Sequence, residues 1–191
     1  MINIFQPALD DKELGALKEV FESNWVGRGP KTEEFEKKFS EKIGVNSENI
    51  CTVGGCTQGI NAIIEILDLS DDDEVIIPSS SFIGIANSVV RSGSKVVFCE
   101  VDERTMNTNL DYISEVVTDK TKVVILIHYG GYPCTDMDKI IEYCDHNNIK
   151  IIEDNACSPF SKYKGKNTGI LADFGVWSFD SMKVMTTGDG G

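Results

Sequence analysis

One lysine has no ordinary reason to be where it is: Lys183, in the stretch "DFGVWSFDSMKVMTTGDGG". It follows an apolar, aromatic segment whose side chains belong inside. A surface loop would account for it. So would a lysine desolvated and activated to form a Schiff base with a carbonyl. A second candidate is "IIEDNACS", which leaves Glu153 and Asp154 at the carboxyl end of a buried strand. Successive strand residues point to opposite faces, so only one of the two can enter a given site. A buried Asp154 needs a cation or hydrogen-bond donors, and a loop cap is the plain alternative. The third is "TVGGCTQGINA". Here a strand, a tight glycine turn and a helix start would aim backbone N–H groups and the Thr57 hydroxyl at an anion. A glycine turn capped by Thr57 explains the same residues without a ligand. The stretch is neither G-x-G-x-x-G nor a Walker loop, which counts against dinucleotides and nucleoside triphosphates.

An amine, an acid for a protonated pyridine nitrogen and an anion cradle are the three parts that pyridoxal phosphate requires. The surrounding pattern would bring them together. "DKELGALKEVFES" places Leu14, Leu17, Val20 and Phe21 on one helical face, and "NWVGRGP" is a loop. "KTEEFEKKFSEKIG" reads as a helix with Thr32 as N-cap, Phe35, Phe39 and Ile43 four apart, and Gly44 as its stop. Strands are then expected at "NICTV", "EVIIPS", "KVVFCEVD", "KVVILIHY", "KIIEDNA" and "FGVWSFD". Between them lie helices at "INAIIEILDL", "SFIGIANSVVRSG", "NLDYISEVVTD" and "DMDKIIEYCDHNN". Val/Ile runs separated by helices predict an α/β fold: three layers, with a mostly parallel sheet covered on both faces. Ligands in such folds bind beyond the carboxyl ends of the strands. The site belongs at "GGCTQG", "PSSSF", "HYGGYP", "EDNACS" and the segment around Lys183.

Composition narrows the class. The 191 residues suffice for one domain with a sizeable core, and the net charge of −13 argues against a nucleic-acid partner. No apolar run approaches the roughly 18–20 residues of a bilayer span. "MINIFQPALDDKELG" has neither a basic start nor an apolar signal core, so a cytoplasmic protein is expected. The six cysteines, Cys51, Cys56, Cys99, Cys134, Cys144 and Cys157, contain no CxxC pair and read as small buried hydrophobes. Cys144 lies near His146, but no second ligand pair follows, and no metal site is expected.

From "NWVGRGPKTEEFE" through "IHYGGYPCTDMDKI" and "IIEDNACSPFSKYKGKNTG" to "DFGVWSFDSMKVMTTGDGG", the chain resembles the N-terminal half of the DegT/StrS-type sugar aminotransferases. These are pyridoxal-phosphate enzymes of fold type I. The resemblance implies that Lys183 is the Schiff-base lysine and that Asp154 pairs with the pyridinium nitrogen. It implies that Thr57, with the backbone at Cys56 and Gln58, holds the phosphate, joined by Ser178, and that Phe82 stacks on the cofactor. Cys157 stands at a cofactor-facing position where the family usually has Gln or His. Trp25 to Pro30 match a loop near the sugar. The implied reaction moves an amino group from glutamate to a keto sugar carried on a nucleotide, as in polysaccharide biosynthesis, in a cytoplasmic homodimer. Residues 1–191 would be the N-terminal part of the large domain, with the C-terminal remainder absent. Such a fragment alone is expected to be weakly stable and inactive. Two other readings are a non-catalytic or regulatory relative that keeps the cofactor, and a nucleotide-binding oxidoreductase of similar layout. Absence of G-x-G-x-x-G speaks against the latter.

Overall fold

The computed structural model describes residues 7–191. Part of the N-terminal stretch examined for a targeting signal, residues 1–6, lies outside the described residues. Five parallel strands form the central sheet in the order β2-β1-β3-β4-β7, with β1 Glu74–Pro78, β2 Lys95–Cys99, β3 Thr121–Ile127, β4 Lys150–Asp154 and β7 Phe174–Val176. The short strands β5 (Lys162–Tyr163) and β6 (Lys166–Asn167) form a separate antiparallel hairpin. Its turn, Lys164 and Gly165, has both residues at positive φ, which suits the twist of a two-residue hairpin.

Both sheet faces are covered, as the continuous Val/Ile runs require. On one, Val75, Ile77, Val123, Ile125 and Ile152 pack against Ile60 and Ile64 of α3 (Cys56–Ile66) and Ile85 and Val89 of α4 (Ile83–Ser92). On the other, Ile76, Val124, Leu126 and Ile151 meet Ile113 of α5 (Leu110–Ser114) and Met137, Ile140 and Cys144 of α6 (Met137–His146). The one-residue offset between the two sets is the strand pleat itself. A third cluster joins Phe39 and Ile43 of α2 (Pro30–Ile43) to Phe179, with Phe35 and Trp177 packed beside them. Phe39 meets Trp177 and Phe179 edge-on, at 5.3 and 5.4 Å.

Several expectations change in detail. Helix α2 starts at Pro30 with Gly29 as N-cap, because proline presets the first helical φ, and Thr32 falls inside the first turn. "NICTV" is not a strand; Val53 exchanges two backbone hydrogen bonds with Gly191, too few for a ladder. Helix α1 (Asp11–Ser23) forms behind an Asp10–Glu13 capping box, but its Leu14, Leu17 and Phe21 are exposed, since nothing among the described residues packs on them. Cys51 and Cys157 are exposed and Cys56 half-buried, leaving Cys99, Cys134 and Cys144 as the buried thiols. Among the described residues, no helix is long and apolar enough to cross a membrane.

Candidate active site

Helix α3 begins inside the glycine turn. Gly55 is its N-cap with no side chain to bond, and the Gly59 N–H closes the first turn on the Gly55 carbonyl. The N–H groups of Cys56, Thr57 and Gln58 therefore lack intrahelical acceptors, and the positive end of the helix dipole coincides with them. Gly191 lies against this turn. A Cβ there would stand 2.5 Å from the Cys56 nitrogen and 2.9 Å from the Trp177 carbonyl oxygen. Only glycine lets the chain just before Ser178 and the first turn of α3 approach one another so closely. Ser178 is buried, and its Oγ accepts the Asp180 N–H at 3.4 Å. Phe82 is 68% exposed at the start of α4. Its ring shares the space above Gly84 with the Thr57 hydroxyl, since a Cβ at Gly84 would come 2.6 Å from the ring and 3.0 Å from Thr57 Oγ1.

Strand β4 ends in two buried carboxylates that point apart. Glu153 turns into the face covered by α6, where Oε2 accepts the His128 Nε2–H at 3.0 Å and the Gly169 N–H at 2.8 Å. Its Oε1 accepts the N–H groups of Leu171 and Ala172 at 2.7 and 3.0 Å. The Cys134 N–H donates to His128 Nδ1, so the imidazole is neutral with its proton on Nε2. Asp154 turns to the face of α3. It is 5% exposed, and Oδ1 accepts the Ala156 N–H at 2.8 Å and lies 4.0 Å from the Cys56 sulfur. Burial holds its carboxyl above the ordinary carboxylate range, against the opposing pull of the Ala156 N–H and the Lys183 ammonium. Burial and the Asp154 carboxylate likewise push the Cys56 thiol well up.

Lys183 is half-buried in the turn that its N–H closes on the Asp180 carbonyl, and its Nζ lies 3.5 Å from the Cys157 sulfur. Asp180 shapes this turn by accepting the Met182 N–H at 2.9 Å. Cys56, Thr57, Gln58, Phe82, Asp154, Cys157, Ser178 and Lys183 thus come from five separate segments to one edge of the sheet. Trp25 to Pro30 lie apart, along a surface groove beside α1, with Trp25 Nε1 donating to the Arg28 carbonyl at 2.8 Å. A tether links this loop to the extended segment before the cradle. Arg28 pairs with the buried Glu36 at 3.1 Å, and Glu36 accepts the N–H and hydroxyl of Thr52 at 2.9 and 2.8 Å. Burial raises the Glu36 carboxyl, but the two Thr52 donors and Arg28 outweigh it and leave the group below its ordinary value. Sequence reasoning missed this tether and the Glu153–His128 pair. An acid at an inward position of an amphipathic helix, Glu36 beside Phe39 and Ser40, was the available signal.

The mostly parallel sheet flanked by helices is that of the pyridoxal-phosphate aminotransferase fold. The chain belongs to the DegT/DnrJ/EryC1/StrS aminotransferase family, which it matches over residues 7–191. It is 42% identical over its whole length to the dTDP-4-dehydro-2,3,6-trideoxy-D-glucose 4-aminotransferase of Saccharopolyspora spinosa, covering 49% of that protein. The crystal structure of the aminotransferase TlmJ from Streptoalloteichus hindustanus superposes with a TM-score of 0.96 at 46% identity, over all of this chain and 52% of that one. The putative sugar aminotransferase Spr1654 from Streptococcus pneumoniae, solved in PLP and PMP forms, superposes at 0.88 with 27% identity, over 99% of this chain and 51% of that one. The chain spans about half the length of these relatives.

Proposed function

We propose that residues 1–191 are the N-terminal part of the large domain of a pyridoxal-phosphate aminotransferase that moves an amino group, from glutamate, to a keto sugar carried on a nucleotide. The observation that carries this reading is Asp154. A carboxylate so deeply buried, with one N–H donor and no ion pair among the described residues, is costly unless a cation meets it. A protonated pyridine nitrogen is such a cation. The free N–H groups of α3 suit a phosphate, and the Lys183 amine stands near enough for its charge to act on Asp154. The residues present fit the cofactor.

When bound, pyridoxal phosphate supplies an aldehyde that takes up the amino group and a ring that accepts the electrons released with the donor's α-proton. In this chain Asp154 would keep the ring nitrogen protonated. The N–H groups of Cys56, Thr57 and Gln58, with the hydroxyls of Thr57 and Ser178, would hold the phosphate. Phe82 would lie against the ring, and Cys157 would border it. The Lys183 amine would anchor the cofactor and, once released, carry the donor's α-proton as general base. A sugar substrate is supported by the names of the relatives, dTDP-linked in one case. The proposal includes a cytoplasmic homodimer for the full-length protein.

The test is the absorbance spectrum of the purified full-length protein. A visible cofactor band that shifts on adding glutamate, and that borohydride fixes covalently to Lys183, supports the enzyme. Lys183→Ala should abolish the fixed adduct and lower turnover by about 10³-fold or more. A band indifferent to glutamate would instead indicate a regulatory relative. Protein without acid-releasable pyridoxal phosphate would end both readings.

A further inference from the structure

The Lys183–Cys157 contact has no part in the proposed transamination. Cys157 is one of two exposed thiols, and its sulfur is 3.5 Å from Lys183 Nζ, within the range in which a positioned nucleophile attacks. The other, Cys51, has only the Thr52 carbonyl beside it, at 3.7 Å. Cys56 lies on the Asp154 side of the site, and burial together with that carboxylate keeps its thiol protonated, so it is a poor competitor for an oxidised neighbour.

We infer that Cys157 and Lys183 form an oxidant-driven modification site, in which hydrogen peroxide links the cysteine sulfur to the lysine nitrogen. In the first step the peroxide O–O bond breaks and one oxygen passes to the Cys157 sulfur. Sulfur loses two electrons and becomes a sulfenic acid, and the peroxide leaves as water. In the second step Nζ, having given a proton to solvent, attacks the sulfur. The S–O bond breaks, the hydroxyl departs with an Nζ proton as water, and an S–N bond remains. No further oxidant is consumed. Two equivalents of an external thiol reverse the link: the first takes the sulfur and frees the amine, and the second releases Cys157 and leaves as a disulfide. If Lys183 is the cofactor lysine proposed above, the link and the cofactor compete for one nitrogen. Bound cofactor would then protect Cys157 from linking.

The experiment uses full-length protein stripped of cofactor and treated with peroxide in the presence of dimedone, which traps sulfenic acids. Unreduced digests are then mapped by mass. The expected result is a Cys157 peptide joined to a Lys183 peptide with the loss of two hydrogens, reversed by dithiothreitol. Dimedone should label Cys51 in every sample and report equal folding and oxidation. On Cys157 it should label wild type about tenfold less than Lys183→Gln, where no amine intercepts the sulfenic acid. Equal labelling of Cys157 in the two proteins, or a Cys56–Cys157 disulfide in place of the S–N link, would overturn the inference. Borohydride treatment of the loaded, unoxidised protein separates the two readings. A fixed cofactor on Lys183 without any S–N link sinks the link alone, and a link without a fixed cofactor sinks the cofactor assignment alone.

Discussion

Asp154 is where burial and chemistry meet most directly. A carboxyl that folding raises above its ordinary value keeps its proton in the folded chain after the unfolded chain has lost it. Stability therefore falls as pH rises from the ordinary carboxylate range through the folded value, and stays low above it. Asp154→Asn removes that penalty and keeps an acceptor for the Ala156 N–H. Cofactor-free Asp154→Asn protein is expected to melt above wild type at neutral pH, with the gap closing as pH falls into the carboxylate range. Thermal unfolding across that range reads the result, and a gap that widened on acidification would contradict it. Glu36 has the opposite sign: its lowered value contributes stability that is lost as pH falls through it. Both acids are legible as residue types, but their shifts are not. Each depends on donors such as Thr52 and Ala156 that the folded chain brings up.

At the scale of elements, β7 is short, and its central glycine decides whether it can pair. A Cβ at Gly175 would overlap the carbonyl of Gly169, backbone against backbone, where no rotamer change gives relief. Gly169 itself has a φ of +87° and supplies one of the N–H groups on Glu153. Gly175→Ala is therefore expected to cost at least about 2 kcal/mol and to lower the melting temperature by about 4–8 °C. Calorimetry or circular dichroism would show it, and an unchanged melting point would mean that the loop yields freely. Periodicity had marked this strand within "FGVWSFD" but overextended it, because Trp177 and Phe179 leave the sheet to pack on Phe39. The same kind of override ended "NICTV" as a strand.

For the whole molecule, the buried Glu153 is the fastening between the sheet and the chain that wraps it. Its four donors come from the end of β3, through His128, and from the loop of residues 169–172 that leads into β7. Glu153→Ala leaves four donors unpaired, two of them buried and two partly buried, and is expected to cost about 3 kcal/mol or more, the scale of breaking a buried pair. Denaturant unfolding with wild type as reference measures it. A loss under about 1 kcal/mol would mean that water replaces the carboxylate. Nothing in "IIEDNACS" says which of its two acids fastens and which faces the site. That choice follows from which helices cover which sheet face.

Local pattern alone determined the alternation of strands and helices, the parallel sheet and the loops in which the candidate amine, acids and anion cradle lie. These follow from short-range physics: the two periodicities of buried side chains, the stops at Gly44 and Gly93, and the scarcity of buried charge. Tertiary structure decided which carboxylate enters the site, that Phe82 shares its space with Thr57, that Gly191 closes against Cys56, and that Lys183 stands beside Cys157. Those relations join residues far apart in the chain. Their distances depend on how the layers pack, which no local spacing encodes.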